Sequence, residues 1–175
     1  MIVIVAGVSA SGKTTVGGLL AGRLHWRFAD GDWFHPAANL AKMRAGIPLD
    51  DEDRWPWLLA IGAWMDERIA HGESAVVTCS ALRRAYRAVL LDGRPEARLF
   101  FLAVDRDEAD RRLTARHGHF FPEKLLDSQF DTLEPPQPDE PAVTVVPTMD
   151  PADSVDAIIA ALEPPAGGGD HEAQA

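Results

Sequence analysis

The chain has 175 residues, 46% hydrophobic and 25% charged, which suits one soluble domain with a sizeable core. A net charge of −10 argues against a nucleic-acid or membrane-surface partner, since both reward basic patches; an anionic small molecule stays open, because local arginines can override the global field. A single cysteine, Cys79, allows no intrachain disulfide framework, and the start Met-Ile-Val-Ile-Val-Ala-Gly lacks the basic region of a signal peptide. With no apolar run near the roughly 20 residues of a membrane span, a cytoplasmic location is expected.

In chain order, Ile2 to Ala6 is a short apolar run that reads as a strand buried on both faces. Lys13 to His25 has helical spacing, and Trp26 to Asp30 can form a second strand. Pro36 to Ala45 predicts a short helix, ended by Gly46-Ile47-Pro48, and Arg54 to His71 the longest one. Ala75 to Cys79 reads as a third strand, Arg84 to Leu91 as a helix and Arg98 to Val104 as a fourth strand. Helices over 107–116 and 122–133, a proline-rich loop over 135–141, a fifth strand over 142–146 and a helix over 152–162 follow. The expected architecture is α/β: three layers, with a five-stranded parallel sheet covered by helices on both faces. The domain should span 1–163, with a disordered tail over 164–175, where glycine, proline and polar residues dominate.

Gly7-Val8-Ser9-Ala10-Ser11-Gly12-Lys13-Thr14 matches the phosphate-binding pattern G-x-x-x-x-G-K-[ST]. The glycines let the loop wrap so that backbone N–H groups point at phosphate oxygens, and the helix N-terminus adds partial positive charge. The nucleotide cradle is therefore Gly7, Ser9, Ala10, Ser11, Gly12, Lys13, Thr14 and Thr15. Lys13 reaches the β- and γ-phosphates, and the Thr14 hydroxyl binds Mg²⁺. The motif does not choose between a kinase, an NTPase and a switch GTPase.

Asp30-Gly31-Asp32 falls where the second strand ends, on the ligand side of a parallel sheet. Alternation would point both carboxylates the same way if the strand reaches that far. One could accept the proton of an attacking hydroxyl and the other order Mg²⁺ water. Taken alone the motif reads as a solvated Asp-Gly turn, but after a phosphate loop and in the crevice the functional reading is favoured. His35 stands beside this pair. Arg54, a cation in the first helical turn, opposes the macrodipole and suggests a ligand or an ion pair. No aspartate closes the third strand, and Cys79 reads as a small buried residue. Arg83, Arg84 and Arg87 could clamp a carboxylate or phosphate, Arg87 above its neighbours, or form an exposed basic face. Arg112 and Arg116 share a helix face before Gly118, as in a lid of about 112–125 that closes over phosphates.

These residues together resemble the gluconate kinase (gluconokinase) family. The likeness rests on the Gly7–Thr14 loop, Asp30-Gly31-Asp32-Trp33-Phe34-His35-Pro36, Lys42-Met43, Pro48 to Arg54, Cys79-Ser80-Ala81-Leu82, Tyr86-Arg87, Gly118-His119-Phe120-Phe121 and Ser128 to Glu134. It runs from about Val3 to Leu162, with Ala10 where the family usually has glycine. The resemblance implies ATP- and Mg²⁺-dependent phosphorylation of D-gluconate to 6-phospho-D-gluconate. It also implies the shikimate-kinase-like branch of the nucleoside monophosphate kinase fold, usually as a homodimer. By similarity Asp32 is the base; Lys13 and Arg116 act in catalysis, and Arg112 and Arg116 hold the nucleotide. Asp30, Asp32, His35, Arg54, Ser80, Arg87, His119 and Gln129 would shape the substrate pocket. The nearest alternative is a shikimate-type or nucleoside monophosphate kinase. From another class comes a nucleotide-binding regulatory module, though no Asn-Lys-x-Asp base-reading motif is present.

Overall fold

The computed structural model describes residues 1–115 and 123–163. Five strands, β1 Ile2–Ala6, β2 Arg27–Ala29, β3 Ala75–Cys79, β4 Ala97–Leu102 and β5 Ala142–Val145, form one sheet in the order β2-β3-β1-β4-β5. Every pairing is parallel. The helices are α1 Lys13–Leu24, α2 Ala37–Arg44, α3 Asp51–Ala70, α4 Arg84–Leu91, α5 Arg106–Ala115, α6 Glu123–Thr132 and α7 Pro151–Leu162.

Strand alternation divides the core between the two faces of the sheet. Ile2, Ile4, Val77, Leu99 and Phe101 pack against Trp57, Leu58, Ile61 and Met65 of α3 and Tyr86 and Leu90 of α4. Val3, Val5, Val76, Phe100 and Leu102 point the other way, onto Val16 and Leu20 of α1 and Val155 and Ile158 of α7. This is the expected three-layer architecture. Because β1 is central and all strands run the same way, its loop opens at the carboxyl edge of the sheet, between the ends of β3 and β4.

Two elements depart from the sequence reading in ways that matter for the site. β2 stops at Ala29, and Gly31–Phe34 forms a short 3-10 turn. The cause is close approach: a Cβ on Gly31 would stand 2.0 Å from the Thr78 carbonyl oxygen of β3. Gly31 N–H also donates to Thr78 Oγ1 at 3.1 Å. Helix α3 begins at Asp51, not near Arg54. Asp50 and Asp53 make a reciprocal capping box, and Asp51, Glu52 and Asp53 fill the first turn. Arg54 is thus one turn in, behind three carboxylates that complement the helix dipole.

Among the described residues, no helix is long and apolar enough to cross a membrane. The central part of the expected lid, with Arg116, Gly118 and His119, and the expected tail lie outside the described residues.

Candidate active site

The β1–α1 loop separates two cavities. One, of about 390 Å³, is lined by Ser9, Lys13, Asp32, His35, Arg54 and Trp57, with Ser80 and Gln129 also on its wall. The other, of about 450 Å³, is lined by Ala10, Gly12 and Thr15 of the loop and helix start, Arg112 of α5, and Pro147 and Thr148 ahead of α7. Ser9 and Lys13 therefore face the first cavity, and Ala10, Ser11 and Gly12 between them face the second.

The loop is held from three directions. Gly7 N–H donates to the Ser80 carbonyl at 3.2 Å, which ties the loop to the end of β3. A side chain on Gly7, at φ +139°, would meet Leu102 O at 2.7 Å, so only glycine fits. Lys13 Nζ donates to Val8 O at 2.8 Å, across the loop. Gln129 of α6 grips Ser9 at two points: its Oε1 accepts from Ser9 N–H at 2.7 Å, and its Nε2 donates to Ser9 Oγ at 2.9 Å. Ser9 N–H is thereby committed to Gln129, which corrects the expectation that it faces the cradle. Arg112 donates to Ser11 O at 3.2 Å and pairs with Glu108 at 2.6 Å, on the wall of the second cavity. Ala10 adopts φ +63°, a conformation that favours glycine. Its methyl packs with Ala109 of α5 and Leu126 of α6, which offsets that strain.

The two aspartates are brought together by a cap, not by strand alternation. Asp30 caps the 3-10 turn by accepting from Asp32 N–H at 3.0 Å. The same oxygen accepts from Thr78 Oγ1 at 3.1 Å, and the other accepts from Thr14 Oγ1 at 2.8 Å. Asp30 is therefore joined to Thr14 and is not on the wall of the first cavity, contrary to its expected place in the substrate pocket. Asp32 is on that wall, its side chain 77% exposed. Burial among nearby protein atoms raises its pKa above 3.8, Lys13 opposes this and Asp30 adds to it. Open surface and crowded surroundings pull in different directions here. In water the open surface governs, so the upward push is small until a ligand excludes solvent.

His35 lies flat on Trp57, with ring centroids 4.3 Å apart and 12° between planes. Trp57 is itself fixed by donating from Nε1 to Gly31 O at 2.7 Å. Burial, then the charge of Arg54, pushes the His35 pKa down to about 4. Arg54 is 9% exposed and donates to Tyr86 Oη at 3.3 Å; Tyr86 donates to Asp51, which also accepts from Arg83 at 2.8 Å. This network holds a guanidinium on the wall of the first cavity.

Arg87 does not reach the site. It is 1% exposed and gives a bidentate pair to Glu140, at 2.7 and 2.8 Å, and further bonds to the Ala81 and Leu82 carbonyls. The expected carboxylate clamp is real, but its carboxylate comes from the chain itself. Ala81 has φ +42°, so Arg87 braces a strained turn on the cavity wall. Cys79 is buried, with its thiol pushed up to about 12, and is no nucleophile. Sequence reasoning missed Asn39, Thr78 and Trp57. Asn39 lies one helical turn after His35, a spacing that could have exposed it.

Thr14 and Asp30 present oxygen atoms suited to a hard cation. The Thr14 proton is given to Asp30, which leaves the Thr14 lone pairs free. Among the described residues, no cluster of three or more His, Cys, Asp or Glu side chains could hold a metal alone.

No family model matches the chain. It is 46% identical over 142 residues to the gluconokinase of Gluconobacter oxydans (strain 621H), covering 81% of this chain and 80% of that one. It superposes on the crystal structure of a gluconokinase from Sinorhizobium meliloti 1021 with a TM-score of 0.81 at 42% identity, over 90% of this chain and 89% of that one. Shikimate kinase from Aquifex aeolicus shares the fold alone, with a TM-score of 0.51 at 16% identity over 93% of this chain and 96% of that one.

Proposed function

The chain belongs to the gluconokinase family, and on that footing we propose that it transfers the γ-phosphoryl group of ATP to the primary hydroxyl of D-gluconate, giving 6-phospho-D-gluconate and ADP. The observation that carries this reading is the pair of cavities divided by one phosphate loop, with Lys13 and Asp32 on the same side.

The second cavity takes the nucleoside, between Arg112 and the 147–149 segment, and the phosphates run along the loop toward Lys13. Gluconate occupies the first cavity. Its carboxylate faces Arg54, and its primary hydroxyl faces Asp32. The local cations Lys13, Arg44 and Arg54 let an acidic protein receive an anion. Asp32 accepts the hydroxyl proton as the oxygen attacks phosphorus in line, and the bond to the β-phosphate oxygen breaks to release ADP. Lys13 neutralises charge on the transferring group. Thr14, with Asp30 behind it, would hold Mg²⁺; the ion supplies charge neutralisation on the phosphate oxygens when bound. Arg116 and a lid over about 112–125 would complete the enclosure, excluding water. A homodimer, which the family resemblance implies, and a cytoplasmic location complete this proposed reading.

Phosphorus NMR of the product made from ATP, Mg²⁺ and gluconate tests it. A single phosphate monoester on the terminal primary carbon is expected. An ester elsewhere, or inorganic phosphate alone, overturns the reading.

A further inference from the structure

His35 has one ring nitrogen toward α2 and the other toward the cavity. Nδ1 lies 3.3 Å from Asn39 Nδ2, and that amide nitrogen also donates to the Asp53 backbone carbonyl at 2.8 Å. A backbone carbonyl can only accept, so this bond fixes which end of the amide is nitrogen. The NH₂ group has two hydrogens and nothing to accept with. One goes to Asp53 O and the other to His35, so Nδ1 must be the bare nitrogen and the ring proton must sit on Nε2. Asn39 is 3% exposed, and the His35 side chain 4%, so water does not compete for either bond. The groups facing the ring are Asp32 from the 3-10 turn, Asn39 from α2, and Arg54 and Trp57 from α3.

Nε2 is 3.8 Å from Asp32 Oδ1, too far for a direct hydrogen bond. One hydroxyl oxygen standing about 2.9 Å from each would span the gap, accepting from Nε2–H and donating to the carboxylate. We propose that Asn39 is a positioning residue that locks His35 as an Nε2–H donor, so that His35 and Asp32 together read a substrate hydroxyl by giving one hydrogen bond and taking another. A carbonyl in that place could accept from His35 but offer nothing to Asp32, so the pair selects a polyhydroxy acid over its oxo or deoxy analogue. The hydroxyl part rests on the gluconate reading above. The tautomer does not.

The test uses the full chain, ¹⁵N-labelled, with two-bond proton–nitrogen correlation of the histidine rings and His35→Gln to assign the signal. The neutral Nε2–H pattern is expected for His35 at pH 7; an Nδ1–H or doubly protonated pattern overturns the proposal. In Asn39→Asp the carboxylate has no hydrogen to give and draws a proton onto Nδ1. The KM for gluconate should then rise roughly tenfold or more, while that for ATP stays within about twofold. Equal KM values for gluconate in Asn39→Asp and the parent chain also overturn it. An Nε2–H ring in a protein that ignores gluconate would instead count against the gluconate reading alone.

Discussion

The Thr14 hydroxyl donates a 2.8 Å hydrogen bond to Asp30, so the phosphate loop and the end of β2 are joined at the point where a cation would bind. Asp30 is held in turn by Thr78 of β3. Removing its charge should loosen the cation and spare the sugar-acid end of the cavity. In Asp30→Asn, the Mg²⁺ concentration for half-maximal rate should rise about tenfold or more. Titrating Mg²⁺ at saturating ATP and gluconate checks this, and an unchanged midpoint assigns Asp30 elsewhere.

Asp32 should behave differently. On its proposed role as acceptor of the hydroxyl proton, its loss in Asp32→Asn should lower kcat about 10²- to 10⁴-fold while nucleotide binding persists. The ionised carboxylate is disfavoured by its surroundings in the folded state, since its pKa is raised above 3.8. That cost is present once the group ionises and is relieved on protonation. The variant should therefore melt at no lower temperature than the parent at neutral pH. Near-normal turnover with ATP still bound would remove Asp32 from the chemistry.

The buried Arg87–Glu140 pair makes a prediction about stability. Glu140→Gln leaves a guanidinium buried without its countercharge and should cost about 3–5 kcal/mol in chemical denaturation. The KM for gluconate in the folded fraction should change little. A large rise in that KM with stability intact would restore Arg87 as a substrate ligand.

The low pKa of His35 sets an acid limit. Its folded value, about 4, lies below the ordinary 6.5, so the fold prefers the neutral ring. That contribution is full above pH 6.5 and is lost as pH falls through 4. Melting temperatures from pH 7 to pH 4 should fall more steeply for the parent than for His35→Gln, and parallel curves would contradict the assignment.

Much of this was legible in local patterns. Continuous apolar runs gave β1 and β3, and the loop motif between a strand and a helix located the phosphate cradle. What failed was long-range. Asp30 and Asp32 converge because Gly31 presses against β3 and ends the strand, a contact no alternation rule contains. Arg87 looked like a ligand clamp because its countercharge lies 53 residues later. Arg54 looked exceptional because the helix start was placed after the capping box instead of before it. Ala10 shows the same limit, since its left-handed backbone is readable only once its methyl is seen between α5 and α6.

The central claim is most directly tested by ADP release with ATP and Mg²⁺ across a panel of acceptors: gluconate, other sugar acids, shikimate and nucleoside monophosphates. The account predicts a large increase over the ATP-only rate with gluconate, small increases with its nearest sugar-acid relatives and none with the others. A rate that stays flat with gluconate, or rises instead with shikimate or a nucleoside monophosphate, would contradict it.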